Sequence, residues 1–434
     1  MSAPAPRISR ARLFTASLVG TSIEWYDYYI FGSAAALVFG SIYYSPEASP
    51  LAAQLAAYAT FAVGFVARPL GAAVFGHLGD RFGRKATLVA TLLLTGGSTF
   101  LVGLLPTYAA IGLTAPIVLL LLRLLQGFGV GGEWGGAVLI ATEHASPRRR
   151  AIYGSFAQFG VPIGVLTSNL AFLAVGGLGE EDFMSWGWRI PFLLSILLVG
   201  VGFFVRTRLE DAPEFKKLRE KRQVHRAPFA ELVRRQPRNL ILGSLAAIAP
   251  PAVGYTVMVY MLDYGTSVVG FERTTLQWLI LTSAFVWMAA IALAAVAADR
   301  FGAKKVYAIG AVTAVLWPYP LFPMVNTESA GLAFTAFAVA AVVQGIMAGA
   351  QGGLFTEIFD VDVRYSGISI AYQLGGMVGG ALTPIVLSTL WGTYQSATPL
   401  ALWVAGLSLV SLITVFGLRT PERASAEPES ATTR

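Results

Sequence analysis

The segment Gly79-Asp80-Arg81-Phe82-Gly83-Arg84-Lys85 returns 219 positions later as Ala298-Asp299-Arg300-Phe301-Gly302-Ala303-Lys304. Each copy closes one apolar run and opens another. Three further pairs follow in the same order: Gln126-Gly127 with Gln344-Gly345, Thr142-Glu143 with Thr356-Glu357, and Gln158-Phe159-Gly160 with Gln373-Leu374-Gly375. Four ordered matches at offsets of 214 to 219 describe a chain built twice. One long basic stretch, 206–238, separates the two copies.

Apolar runs fill both copies. A helix needs roughly 20 mostly apolar residues to cross ~30 Å of hydrocarbon. Twelve candidate spans meet that length: 15–40, 51–76, 86–105, 111–142, 151–175, 188–205, 239–265, 275–298, 305–323, 331–358, 366–391 and 397–418. Lipid offers no partner to backbone polar groups, so each span is helical. The expected fold is all-α and integral to the membrane, with twelve transmembrane helices in two pseudo-symmetric six-helix halves. The expected domains are an N-terminal bundle at 1–205, a cytoplasmic linker at 206–238, a C-terminal bundle at 239–418 and a cytoplasmic tail at 419–434. Such duplication is typical of secondary transporters, which alternate access around a midplane site.

Composition agrees with this reading. Of 434 residues, 55% are hydrophobic and only 13% charged, and mean hydropathy is +0.64. So few charges cannot cover a water-soluble domain of this size, which excludes most soluble enzymes and disordered chains. The absence of cysteine excludes disulfide scaffolds, thiol nucleophiles and Cys-ligated metals. The three histidines, His77, His144 and His225, fall in loops without metal-ligand spacing. The glycine runs follow no strand and lack a Gly-Lys-Ser/Thr pattern, so they do not cradle a nucleotide. No cofactor is expected, and an ion gradient is the expected driving force.

The net charge of +7 reports orientation. With the N-terminus in the cytoplasm, 27 of the 31 Lys and Arg residues fall on the cytoplasmic side. Only Arg189 and Arg273 fall outside, and Arg68 and Arg123 lie within spans. That asymmetry is a strong positive-inside signal for a multi-pass inner-membrane protein with both termini cytoplasmic. It also removes nucleic acid as the reason for the charge. The first 14 residues are polar and basic and the first apolar run is long enough to span, so no cleavable signal is expected.

Ionisable groups inside a membrane are costly and mark function or a paired structural role. The candidates are Glu24, Asp27, Arg68, Arg123, Glu133 and Asp263. Asp27 and Arg123 each lie ~18 Å into their spans, near the midplane, at 1.5 Å per residue. A carboxylate beside Arg is held ionised while desolvation opposes ionisation, so its proton affinity can change with access. The alternative is a fixed buried ion pair that only sets helix packing. Glu24, three residues before Asp27, can share its face. It is a second proton site, a substrate ligand or a structural acid. Glu133 lies ~15 Å beyond Arg123 along the helix and joins the same site only if the glycine-rich helix breaks. Arg68 stands two turns from the inner end of span 2 and either snorkels or lines the cavity. Asp263 is near the outer end of span 7, where water can reach it.

Gly76-His77-Leu78-Gly79-Asp80-Arg81-Phe82-Gly83-Arg84-Lys85 resembles the loop 2–3 signature of the major facilitator superfamily. Arg123-Leu124-Leu125-Gln126-Gly127-Phe128-Gly129-Val130-Gly131 resembles its span 4 signature. Gly20-Thr21-Ser22-Ile23-Glu24-Trp25-Tyr26-Asp27 and Gly131-Gly132-Glu133-Trp134-Gly135-Gly136-Ala137 are similar to the metabolite:H+ symporter family, whose members carry shikimate, 2-oxoglutarate, citrate, proline and betaine. The resemblance implies proton coupling at Asp27 and Arg123; by their own place in the spans Glu24 is a candidate second proton site and Glu133 a second proton station or an inner-gate residue. It implies an inner gate at Asp80, Arg81, Arg84 and Glu143, with a weaker second copy at Asp299 and Arg300, because Ala303 stands where Arg84 does. It also implies that spans 4, 5, 10 and 11 line the cavity. The candidate substrate contacts are then Arg123, Tyr28, Gln126, Trp134, Gln158, Gln344, Tyr372 and Gln373.

A tricarboxylate asks for several cationic partners. The spans supply only Arg123 and Arg68, so a shikimate-like monocarboxylate or a zwitterion fits better than citrate. The expected activity is proton-coupled uptake of a small organic acid. The partners are that substrate, protons and the bilayer, and the working unit is a monomer. The alternatives are an exporter or uncoupled uniporter of the same fold and, more remotely, an integral-membrane enzyme.

Overall fold

The computed structural model of the chain describes residues 10–82, 84–131, 133–143, 145–207, 228–360 and 363–419. Side chains at 10–17, 76–82, 84–88, 133, 136, 140, 143, 147, 205–207 and 228–230 are outside the description. Among the described residues every regular element is helical. All twelve expected spans are helices. The N-terminal six are built on Arg10–Ala34, Pro50–Phe82, Arg84–Leu104, Thr114–Val130 with Glu133–Glu143, Arg150–Gly154 with Phe156–Gly176, and Arg189–Thr207. The C-terminal six begin with the broken helix from Pro237 to Val269, then Arg273–Phe301, Ala303–Leu316 with Pro318–Val325, Ala330–Ile358, Arg364–Tyr394 and Ala397–Gly417. Most of the expected linker, and the tail beyond 419, lie outside the described residues.

Several spans are interrupted, and the interruptions have local causes. In span 4 the described helices are Thr114–Val130, followed by Gly131 in a turn, and Glu133–Glu143. Span 9 bends by 47° before Pro318, which cannot continue the backbone ladder. Span 7 contains two wide π turns, Thr256–Tyr260 and Gly265–Val269, and span 11 has one at Met377–Ala381. Such turns insert one residue into the ladder and often sit at functional sites.

Packing repeats with the sequence. In the first half, span 1 lies on 5, 2 on 4 and 3 on 6, and in the second half 7 lies on 11, 8 on 10 and 9 on 12. Close contact between spans 2 and 4 depends on glycine. A Cβ on Gly127 would stand 1.9 Å from the Gly64 carbonyl oxygen. Its counterpart Gly345 approaches span 8 in the same way, with 2.5 Å to the Ala290 Cβ. Without a hydrophobic drive between helices in lipid, such small residues permit the dense packing that holds them together.

The two halves meet along three seams: span 1 on 7, span 5 on 8 and 10, and span 11 on 2 and 4. Polarity is inverted relative to a soluble protein. Leu293, Phe416 and Leu70 are 72%, 65% and 65% exposed, while Asp27 and Arg123 are 1% and 0% exposed. An apolar exterior over a polar interior suits a hydrocarbon surround. The end of the bundle that carries Arg148–Arg150, Arg300 and Lys304 is called the basic end here, and the opposite one the far end.

Candidate functional site at the junction of the halves

Arg68 of span 2 and Arg123 of span 4 lie in the middle of the bundle, both fully buried. A buried guanidinium needs hydrogen bonds and ring faces in place of water. Both lie over Tyr28, with Cζ 3.9 and 4.0 Å from its ring centroid. Arg123 also lies over Phe31 and Phe61 at 4.3 and 4.8 Å. Its Nε donates to the Phe61 carbonyl at 3.2 Å, and its Nη1 donates to Gln126 Oε1. Gln126 Nε2 then donates to Thr99 Oγ1 at 2.8 Å and to the Asp27 backbone carbonyl at 3.3 Å.

Asp27 belongs to this cluster, but neither of its carboxylate oxygens takes a hydrogen bond. Its Oδ2 lies 4.0 Å from where a Cβ on Gly96 would stand, so span 3 makes room for the carboxyl. The neighbouring Thr99 hydroxyl donates to the Thr95 carbonyl instead. Asp27 and Arg123 are thus brought together without an ion pair. Gln126 occupies the guanidinium, and aromatic rings cover its face. Glu24 takes a different direction, within electrostatic reach of Arg68 and Tyr372. Residues three apart are offset by ~60° about the helix axis. That offset is enough to send Asp27 into the first half and Glu24 toward the seam with the second.

At that seam Trp134 of span 4 stacks on Tyr372 of span 11, with centroids 3.7 Å apart and planes at 11°. Gln373 bonds twice across it. Its Nε2 donates to the Gly131 carbonyl at 3.2 Å, and its Oε1 accepts from Arg68 Nη1 at 3.4 Å. The Gly131 carbonyl stands at the C-terminal end of the Thr114–Val130 helix. Span 2 continues as helix to Phe82, beyond the expected end at 76, so Arg68 lies ~21 Å from its terminus at 1.5 Å per residue. The Arg68 side chain turns inward to span 11. On the opposite seam Gln158 Nε2 donates to Gln351 Oε1 at 3.0 Å. Gln344 packs on span 7, with its Nε2 2.3 Å from where a Cβ on Gly254 would stand.

The structure therefore spreads the expected substrate contacts over three places. Arg123, Tyr28 and Gln126 cluster in the first half, Trp134, Tyr372 and Gln373 close the seam of spans 4 and 11, and Gln158 and Gln344 face spans 10 and 7. Tyr255 of span 7 completes the centre and carried no sequence signal. Its ring lies 6.0 Å from Tyr29 and 5.6 Å from Phe65, which joins the halves through aromatic contacts. Among the described residues, the buried polar atoms here that lack partners are mainly donors. They are Trp25 Nε1, Tyr28 Oη, Arg68 Nε and Nη2, Arg123 Nη2, Trp134 Nε1 and Tyr255 Oη.

Contacts bridge the halves at both ends. At the basic end Asp299 accepts from the backbone N–H groups of Ala151 and Ile152, at 2.8 and 3.2 Å. A carboxylate from the second half thus caps the first turn of span 5 and meets its positive dipole end. Arg300 is exposed and lies over Phe301 of its own span at 5.3 Å. The side chains of Asp80, Arg81, Arg84, Glu133 and Glu143 lie outside the described residues. At the far end Tyr58 Oη donates to Asp263 Oδ2 at 3.4 Å, and Arg273 pairs with Glu180 at 2.9 Å. Asp263 is therefore a cross-half acceptor, not merely a wetted acid.

Residues 17–360 match the family described as the Major Facilitator Superfamily. The chain belongs to the major facilitator superfamily. Within this superfamily it is 40% identical to the inner membrane metabolite transport protein YhjE of Escherichia coli (strain K12), over 94% of each chain. It is 36% identical to the shikimate transporter of the same organism, over 96% of each. Its fold matches that of a D-xylose-proton symporter with a TM-score of 0.74 at 16% identity, covering 94% of this chain and 96% of that one. Its relatives place this superfamily member in the metabolite:H+ symporter family that its own motifs resemble. It is a multi-pass membrane transporter of metabolites and not an enzyme.

Proposed function

We propose that this transporter couples the uptake of a small monocarboxylate, of the shikimate type, to proton entry by alternating access. The observation that carries the reading is the centre of the bundle. Buried hydrogen-bond donors outnumber acceptors there, and an acid with two uncommitted oxygens, Asp27, stands beside them. Such a site suits a ligand rich in acceptors, which a hydroxylated carboxylate is. The likeness to the shikimate transporter supports the same substrate class.

Charge balance supports coupling. Among the described side chains at the centre, Arg68 and Arg123 oppose Glu24 and Asp27. Protonating Asp27 leaves one positive charge in excess, and a monocarboxylate cancels it. Substrate anion and proton therefore enter together with least electrostatic cost in a low-dielectric region. Asp27 is the proton site, with Arg123 setting its field through Gln126. Asp299, and by the repeat Asp80, latch the basic end. The distribution of Lys and Arg supports an inner-membrane location with that end cytoplasmic and the halves divided at 1–205 and 239–418.

The test uses purified protein in liposomes with an imposed pH gradient. Shikimate accumulates when the outside is acidic, with proton entry reported by an internal pH dye. Asp27→Asn abolishes gradient-driven accumulation and preserves exchange of labelled for unlabelled substrate. Intact accumulation in Asp27→Asn removes Asp27 as the coupling site, and uptake without proton entry removes symport.

A further inference from the structure

We propose that Arg68 grips the substrate carboxylate through the Nε–Nη2 edge of its guanidinium, an assignment that rests on the organic-acid reading above. The seven-member donor set at the centre contains two guanidiniums, and they are committed differently. Arg123 has given its Nε to the Phe61 carbonyl and its Nη1 to Gln126, so only Nη2 remains. Arg68 has given only Nη1, to Gln373, and both Nε and Nη2 are buried without partners. Those two N–H groups are parallel and form the side-on fork of the guanidinium. The fork matches the two oxygens of a carboxylate and makes two charge-assisted bonds.

The orientation of that fork is fixed. The Arg68 guanidinium lies over Tyr28 at 3.9 Å and Phe65 at 4.8 Å, which occupies its plane, and Gln373 holds its other edge. A guanidinium held in this way loses little freedom on binding a planar anion. The site also has an electrostatic demand. Arg68 and Arg123 both lie over one Tyr28 ring in a region without water exposure, and an anion on the Arg68 fork offsets that like-charge proximity. Because Gln373 belongs to span 11, the anchor is also part of the seam between halves. Substrate capture and closure of that seam therefore share one side chain.

The experiment measures binding to purified full-length protein of shikimate and of its methyl ester, which keeps the ring hydroxyls and lacks the charge. Wild type, Arg68→Lys and Arg68→Gln are compared, with monodispersity on size exclusion as the folding control. Wild type prefers the acid, and both variants lose acid affinity by about tenfold or more, as expected for two charge-assisted bonds. Ester affinity is unchanged, so the acid-over-ester preference collapses. A merely structural role would weaken both ligands together. Loss in Arg68→Lys, which keeps the charge and most of the stem, assigns the effect to the fork, and this arm decides the matter if Arg68→Gln is not monodisperse. Wild-type binding with an unchanged acid-over-ester preference in the variants overturns the Arg68 assignment and leaves the organic-acid reading standing. A wild type that binds neither shikimate nor any of a panel of monocarboxylates overturns both.

Discussion

The seam of span 5 on spans 8 and 10 and the seam of span 11 on spans 2 and 4 are copies of each other by descent of sequence, yet they are built from different chemistry. The first is neutral at depth, with the Asp299 carboxylate crossing it only at the basic end. Gly154 of span 5 meets Gly352 of span 10 so closely that a Cβ on Gly352 would stand 2.6 Å from the Gly154 carbonyl oxygen. One amide bond, Gln158 to Gln351, crosses it at depth. The second seam is large and charged. At the offsets of the repeat, Trp134 replaces Gly352, Tyr372 replaces Ala157, and Arg68 takes the place of Trp287. The duplication thus preserved helix contacts while one seam became a tight glycine contact and the other a contact of large aromatic and charged side chains. Pseudo-symmetry of the backbone predicts where elements meet, and it does not predict which copy carries the chemistry.

Several substitutions would break or sharpen this contrast. The largest effect is expected at the charged side. Asp27→Asn should reduce gradient-driven accumulation to the background of empty liposomes, while counterflow remains within a few-fold of wild type. Next is Gly352→Val in the tight seam. Its Cβ meets backbone, which cannot rotate away, and overpacking of this kind costs about 1–3 kcal/mol. The seam should then open at the basic end. The chain contains no cysteine, so Gln158→Cys in this background reports the opening as faster thiol labelling without interference. Equal labelling with and without Gly352→Val would show that the glycine contact does not hold the seam shut.

Asp299→Asn comes third. It replaces a charged acceptor of two backbone N–H groups by a neutral one, and charge-assisted bonds are worth about 1.5–3 kcal/mol. Turnover should fall by about tenfold with expression unchanged, in keeping with a loss of ~1.4 kcal/mol. The smallest effect is expected from Tyr58→Phe at the far end. It removes a long 3.4 Å hydrogen bond to Asp263, and a two-fold change in transport rate is the expected limit. A larger loss there would make the far-end latch the stronger of the two.

Much of this architecture can be read from the chain. The twelve spans follow from hydropathy because lipid permits only helices, and the duplication follows from four short matches. Asp27, Arg123 and Gln126 were legible as intramembrane polar residues, and the structure assembles them into one network. The detail within that network was not legible. Depth counting brought Asp27 level with Arg123, but only three-dimensional packing shows Gln126 inserted between them. Arg68 was ambiguous because its depth depends on where span 2 ends. Hydropathy places that end at 76, whereas helix geometry carries it to 82 across charged residues that sequence scoring reads as loop. The role of Tyr58 and Tyr255 could not be read at all, since a tyrosine in a span looks the same whether it faces lipid or the opposing half.

The Asp299 latch has a consequence for how this protein can tolerate change. Its carboxylate binds main-chain N–H groups and reads no side chain at Ala151 or Ile152. The two partners of the contact are therefore unequal before mutation. Substitution of Asp299 removes the interaction, while the contact itself asks of 151 and 152 only a backbone N–H, although Ala151 is buried against Gly353 and has room only for a small side chain. Proline is the exception, because it lacks the donor. The latch accordingly depends on one side chain in one half and on main chain in the other, so drift in the two halves need not be correlated for the hydrogen bonds to persist.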